Sequence, residues 1–272
     1  MKKKISVILK HLLCLLLCLI IIAPFFLVLV NSFKTKGEAA RMNLNLPTVW
    51  QFSNYPEVIK QAKLGTGFMN SMIYAMTATV IGVLFSAMAS YVLSRNRTKL
   101  NQFLYYFFIC GLFFPVNYVI LVRVFNWMNL TNTRTGIILV FTSAMIPFCV
   151  FTIYSFVATI PRDLDEAAII DGVSPAGLFF RVVLPLLKPT IMTCFILQFM
   201  SVWNDFLTPL YLSSKSKLFP MTMSVYQFFG KNGSNWNYVF ADIMLTIIPV
   251  VIVYAIGQKH IIGGMTAGSV KG

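Results

Sequence analysis

Acidic residues are scarce in this chain. Its 272 residues include eight Asp and Glu, two His and five Cys, and charged residues make up only 11%. A soluble domain carries about 25% charged residues, so a water-exposed surface all round is excluded. His11 and His260 lie near opposite ends of the chain. A Ser-His catalytic set or a histidine-based metal centre therefore has little to draw on. Cys14, Cys18, Cys110, Cys149 and Cys194 all fall within apolar runs and form no Cys-x-x-Cys pair. They read as small buried apolar side chains. No G-x-x-x-x-G-K-[ST] phosphate loop is present, so the chain lacks that means of binding ATP. No catalytic residue, cofactor or metal is expected.

Apolar residues are abundant, at 58%, with aromatics at 15%. That composition suits a polytopic α-helical membrane protein, whose lipid-facing surface needs no charge. Lys and Arg number 22, giving a net charge of +14. They flank apolar runs and do not form one stripe. They therefore read as topology signals and contacts to anionic lipid, with no nucleic-acid partner.

Six stretches reach the roughly 20 residues needed to cross hydrocarbon: 9–30, 68–93, 103–125, 137–158, 190–212 and 239–258. The first follows Lys2, Lys3 and Lys4, has no small-x-small cleavage site, and reads as a signal anchor. Gly82–Ser90, GVLFSAMAS, puts small residues where helices approach closely. Six spans place both termini on one side. The N-terminal lysines and the loop SRNRTKLNQ, with Arg95, Arg97 and Lys99, make that side cytoplasmic. Lys259 and Lys271 fall on the same side. Outer loops at about 31–67 and 213–238 are long enough to contact partners or substrate. The expected architecture is all-α and a single transmembrane domain over 1–272.

The inner loop 159–189 holds EAAIIDGVSPAGLFFRVVLPLLKP, Glu166–Pro189. Pro161 suits a first helical turn, and Asp163, Asp165 and Glu166 complement the positive end of a helix dipole. Gly172 suits a left-handed C-terminal stop, Ser174 an N-cap, and Pro175 the first position of a second helix. Pro185 and Pro189 are expected to break that helix before the next span. The result is helix, sharp turn, helix. Ala167 and Ala168 allow close approach by a groove wall, and Glu166 offers a charge to a basic partner. An interfacial amphipathic helix is the alternative at this point.

This stretch resembles the EAA motif of permease subunits in binding-protein-dependent ABC importers. Glu166, Ala167, Ala168, Asp171, Gly172, Phe179, Leu184 and Pro185 fall at that family's spacing, while Val173 stands where a small residue is frequent. NSFK after the first span, Asn70–Ser71 and WNDFLTPL at Trp203–Leu210 are similar to sugar-permease sequence. The tail Gly263–Gly272 is similar to that of the maltose-transporter-type second permease subunit, with Gly263 where a basic residue is common.

The resemblance implies a type I importer permease fold in a bacterial inner membrane. Its implied partners are a second permease, an ATP-binding cassette ATPase dimer, a periplasmic or extracellular solute-binding protein, a sugar and membrane lipid. It implies ATPase coupling through Glu166, Ala167, Ala168, Asp171, Gly172, Leu184 and Pro185. Asn204, Asp205 and Asp242 are intramembrane polar groups. Asn204 and Asp205 are candidates for a sugar path, against helix–helix hydrogen bonding. Asn117 and Gln198 carry the same two readings, and Trp203, Trp236 and Tyr238 read as interface anchors. The alternative function is an ion-coupled secondary transporter working without an ATPase, for which the carboxylates are few and no repeat is visible.

Overall fold

The computed structural model describes residues 2–230 and 234–267. Lys271 and the end of the C-terminal tail lie outside the described residues. Every regular element among them is helical. The helices are α1 (Lys2–Ser32), α2 (Lys36–Ala39), α3 (Asn54–Gln61), α4 (Leu64–Arg95), α5 (Lys99–Cys110), α6 (Tyr118–Trp127), α7 (Arg134–Val157), α8 (Asp163–Ile170), α9 (Pro175–Gly177), α10 (Leu184–Leu186), α11 (Lys188–Asn204), α12 (Leu207–Leu212) and α13 (Trp236–Ala267). A π-helical turn, Leu178–Val183, joins α9 to α10. The chain forms two compact units, Met1–Gly67 with Met221–Pro249, and Phe68–Pro220 with Val250–Gly272.

In the second unit, α4 shows why the composition is so apolar. Its buried stripe is Ser71, Tyr74, Ala75, Ala78, Thr79, Gly82, Val83, Ser86, Ala87 and Ser90. The spacing of three and four is that of one helical face. Apart from Tyr74 the residues are small, whereas Val80, Ile81, Leu84, Phe85 and Met88 point outward. Small residues inside and large apolar ones outside is a membrane arrangement, since lipid solvates the outer face and close helix approach supplies the packing. A Cβ on Gly82 would collide with Met145 of α7. The Ser90 hydroxyl donates to the Val150 carbonyl at 3.2 Å, and Tyr105 of α5 stacks on Tyr154 of α7 at 4.1 Å.

Four described helices are long and apolar enough to cross a bilayer, and a bent pair counts as a fifth. Two expected spans are interrupted. Stretch 103–125 is α5, an irregular turn, and α6. Pro115 in the turn lacks an N–H, and the Asn117 side chain caps α6 by accepting from the Ile120 N–H at 3.1 Å. Stretch 190–212 is α11 and α12, separated by an extended Asp205.

Pro185 does not break its helix as expected. The Leu184 N–H reaches back five residues to the Phe179 carbonyl, and this wider turn carries the chain past the proline within helix. The break falls instead at Leu187, where Pro175–Leu186 and Lys188–Asn204 meet at 76°. Cys149 and Cys194 are buried, but Cys14, Cys18 and Cys110 are exposed. In a lipid-facing surface an apolar thiol need not be inside.

Candidate functional site

The inner loop forms a capped helix pair. Helix α8 ends in a Schellman motif. The Val173 N–H donates to the Ala168 carbonyl and the Gly172 N–H to the Ile169 carbonyl, both at 3.0 Å. Gly172 adopts φ +75°, a left-handed conformation that glycine takes without steric penalty. Two residues on, Ser174 accepts from the Gly177 N–H at 3.2 Å, with Pro175 at the start of α9. Val173, the departure from the motif, has a place. A Cβ on Gly177 would lie 2.9 Å from the Val173 Cγ1, so Gly177 makes room for the larger side chain.

One face of α8 is held. Ala168 is buried, and Asp165 forms an ion pair with Arg95, the last residue of α4, at 2.6 Å. Arg95 also donates to the Ile160 carbonyl at 3.1 Å, and Arg162 returns a contact to the Arg95 carbonyl at 3.4 Å. Below the turn, Leu178, Phe179, Val183 and Leu187 are buried, and Phe179 meets Tyr91 of α4 at 5.8 Å. The other face is open. Glu166, Ala167 and Asp171 are exposed, with Ile169 and Ile170 at 62% and 86%. Leu184 is half-buried and Pro185 exposed, both beyond the π turn. The first five expected coupling residues thus share α8 and its stop, whereas the last two sit apart. Arg95 reads from sequence only as a topology signal, and its pairing with Asp165 emerges from the fold.

Two of the other candidate polar residues, Asp205 and Asp242, have structural partners. Asp205 accepts from the Thr208 N–H at 2.8 Å and starts α12. Asn204 is exposed at the end of α11. Asp242 is buried in α13 and accepts from the Ser224 hydroxyl at 2.7 Å. Trp203 is not an interface anchor. It is 1% exposed and packs on Phe68 and Phe199.

The short motifs NSFK and Asn70–Ser71 anchor loops. The Asn70 amide donates to the Lys217 and Phe219 carbonyls at 2.9 and 3.0 Å, and its carbonyl accepts from Arg134 at 2.9 Å. In the other unit, Lys34 is 2% exposed, and its amine donates to Asn31, the Asn43 carbonyl and the Asn43 side chain at 2.8–3.0 Å. Burial pushes its pKa down, and nearby Glu38 pulls it back. The Asn54 amide donates to the Ser32 and Lys34 carbonyls.

Comparison with known proteins gives these features a context. Residues 78–266 match the family described as binding-protein-dependent transport system inner membrane component. The chain is 35% identical to the diacetylchitobiose uptake system permease protein NgcG of Streptomyces coelicolor, over 96% of this chain and 88% of that one. It is 33% identical to the melibiose/raffinose/stachyose import permease protein MelC of Bacillus subtilis, over 92% and 91%. A crystal structure of a bacterial ABC transporter involved in import of the polysaccharide alginate contains a chain of the same fold, with a TM-score of 0.84, 22% identity and coverage of 95% and 97%. This chain belongs to the family of inner membrane components of binding-protein-dependent transport systems.

Proposed function

We propose that the chain forms half of the pore of an ATP-driven importer for a sugar or oligosaccharide. It works with a second permease, an ATPase dimer and a solute-binding protein. The sugar class rests on the relatives, which include a diacetylchitobiose uptake permease and a melibiose/raffinose/stachyose import permease. In this reading six spans cross the membrane, with α5–α6 and α11–α12 each acting as one interrupted span. Both termini and α8 face the cytoplasm.

The observation that carries the coupling role is the two-sided character of α8. One side is fixed by Asp165 and Ala168, and the other presents Glu166, Ala167, Ile169 and Ile170 with no cover from the described residues. A short helix with apolar anchors and one carboxylate fits a groove on a second protein. The ATPase grips this face, and its closure on ATP favours one pore state because the contacts differ between states. The Schellman stop and the packed π turn pass that movement to α7 and α11. Asn204 and Asp205 are placed at the interrupted span, where Asn204 offers an amide to passing hydroxyl groups.

Reconstitution tests the reading. Vesicles holding this chain alone are expected to take up no sugar. Vesicles holding both permeases, the ATPase and the binding protein are expected to take it up with ATP and without an ion gradient. Uptake by this chain alone, driven by a proton or sodium gradient, would replace the proposal with a secondary transporter.

A further inference from the structure

The loop after α1 carries a patch that the transport reading does not use. Leu44, Leu46, Val49, Trp50 and Phe52 lie within nine residues and all are exposed, Trp50 at 49% and Phe52 at 65%. The loop is clamped at both ends to the end of α1. At one end, the Asn31 amide and the Lys34 amine donate to the Asn43 carbonyl, each at 2.9 Å. At the other, the Gln51 N–H donates to the Phe33 carbonyl at 2.7 Å. The Phe33 ring lies 5.5 Å from Trp50 and 5.2 Å from Phe52, and Trp50 and Phe52 stack at 6.1 Å. The apolar side chains are therefore held outward by fixed backbone.

The depth of this patch follows from α1. The span Leu9–Ser32 has 24 residues. At about 1.5 Å per residue it is about 36 Å long, and about 34 Å across the membrane if tilted by ~20°. The hydrocarbon layer is about 30 Å thick. The end of α1 therefore reaches the headgroup layer, and Phe33 is the next residue. Trp50 and Phe52, bound to Phe33, lie at the same level. That layer is where tryptophan is enriched, because a large apolar ring with one N–H is best solvated there. The apolar surface also continues that of α1, whose Phe25, Phe26 and Leu29 are exposed.

We propose that residues 44–52 form an interfacial anchor, with Trp50 and Phe52 inserted into the lipid headgroup layer at the C-terminal end of α1. The occupant is lipid. No charged residue interrupts 44–52, and a charge that borders it, Glu38, is held by Thr48 on the loop's own edge, which is the polar side an interfacial segment turns to water. The anchor fixes the height of the loop, and with it α3, whose Asn54 is tied to Ser32 and Lys34.

The test is tryptophan emission from the assembled transporter in phosphatidylcholine vesicles. Subtracting the spectrum of Trp50→Phe from that of the native protein isolates Trp50 from Trp127, Trp203 and Trp236. The expected result is loss of Trp50 emission with lipid brominated near the headgroup, and little loss with aqueous iodide. Phe52→Trp gives a second reporter on the same surface, should Trp50→Phe fail to assemble. Quenching by iodide and not by bromolipid would overturn the proposal by placing the patch in water. Protection from both quenchers would overturn it by placing the patch under another protein. Neither outcome bears on ATP dependence.

Discussion

Gly172 is the residue where sequence, conformation and function meet most directly. Its φ of +75° is one that an L-residue resists, while a Cβ there would meet nothing within 4 Å. Any penalty for substitution is therefore backbone strain, free of collision. Gly172→Val is expected to cost about 1–2 kcal/mol and to reduce ATP-driven uptake per assembled complex. Gly172→Asn, whose side chain tolerates the left-handed region, is expected to keep most of it. Equal uptake by the Val variant and the native protein, with assembly measured separately, would remove the turn from the coupling mechanism. Ser174 and Pro175 were legible in the sequence for the same reason as Gly172. Each obeys a rule written in its own backbone angles and nearest neighbours. Trp203 was not legible, because whether a tryptophan at a span end faces lipid or core depends on Phe68 and Phe199, which come from other parts of the chain.

At the scale of elements, α8 is tied to α4 chiefly by the ion pair between Asp165 and Arg95. The Arg95 and Asp165 side chains are each 12% exposed, so removing either leaves a poorly hydrated charge. Asp165→Asn is expected to destabilise the assembled protein by about 3 kcal/mol. Arg95→Met with Asp165→Leu is expected to cost less than the two single changes summed, since no charge is then stranded. A double-mutant cycle on thermal unfolding in detergent measures this, and additive losses would show that the pair does not tie α8 to α4. This contact was hidden in the sequence because it joins residues far apart along the chain, and acids in a first helical turn have a local explanation already. The interruption at Pro115 was signalled, by a proline followed two residues later by a capping asparagine. A hydrophobic run long enough to span outweighed it in the sequence reading. Hydropathy counts apolar residues and does not register a missing N–H. The π turn before Pro185 left no comparable mark, since it depends on how Phe179 and Val183 pack.

At the scale of the whole molecule, the proposed orientation rests on charge and sets which loops would meet which partners. Lys2, Lys3, Lys4 and Lys10 precede or open the first span, and Arg95, Arg97 and Lys99 gather at the turn after α4. Short basic segments of this kind stay on the cytoplasmic side. In the proposed orientation the α1 N-terminus is inside, residues 44–52 face out and α8 faces in. This would give α8 access to an ATPase and leave the outer loops to a binding protein. In a variant lacking the five native cysteines, an impermeant maleimide added to intact spheroplasts is expected to label Lys60→Cys and not Ala176→Cys. Both positions are exposed in the chain, so failure to label at Ala176 reflects the membrane barrier, and permeabilised cells supply the control. Labelling of Ala176→Cys from outside would put the helix pair where no ATP is available. That result would undo the proposed coupling role of Glu166, Ala167 and Gly172 together, while the fold and the family membership would stand.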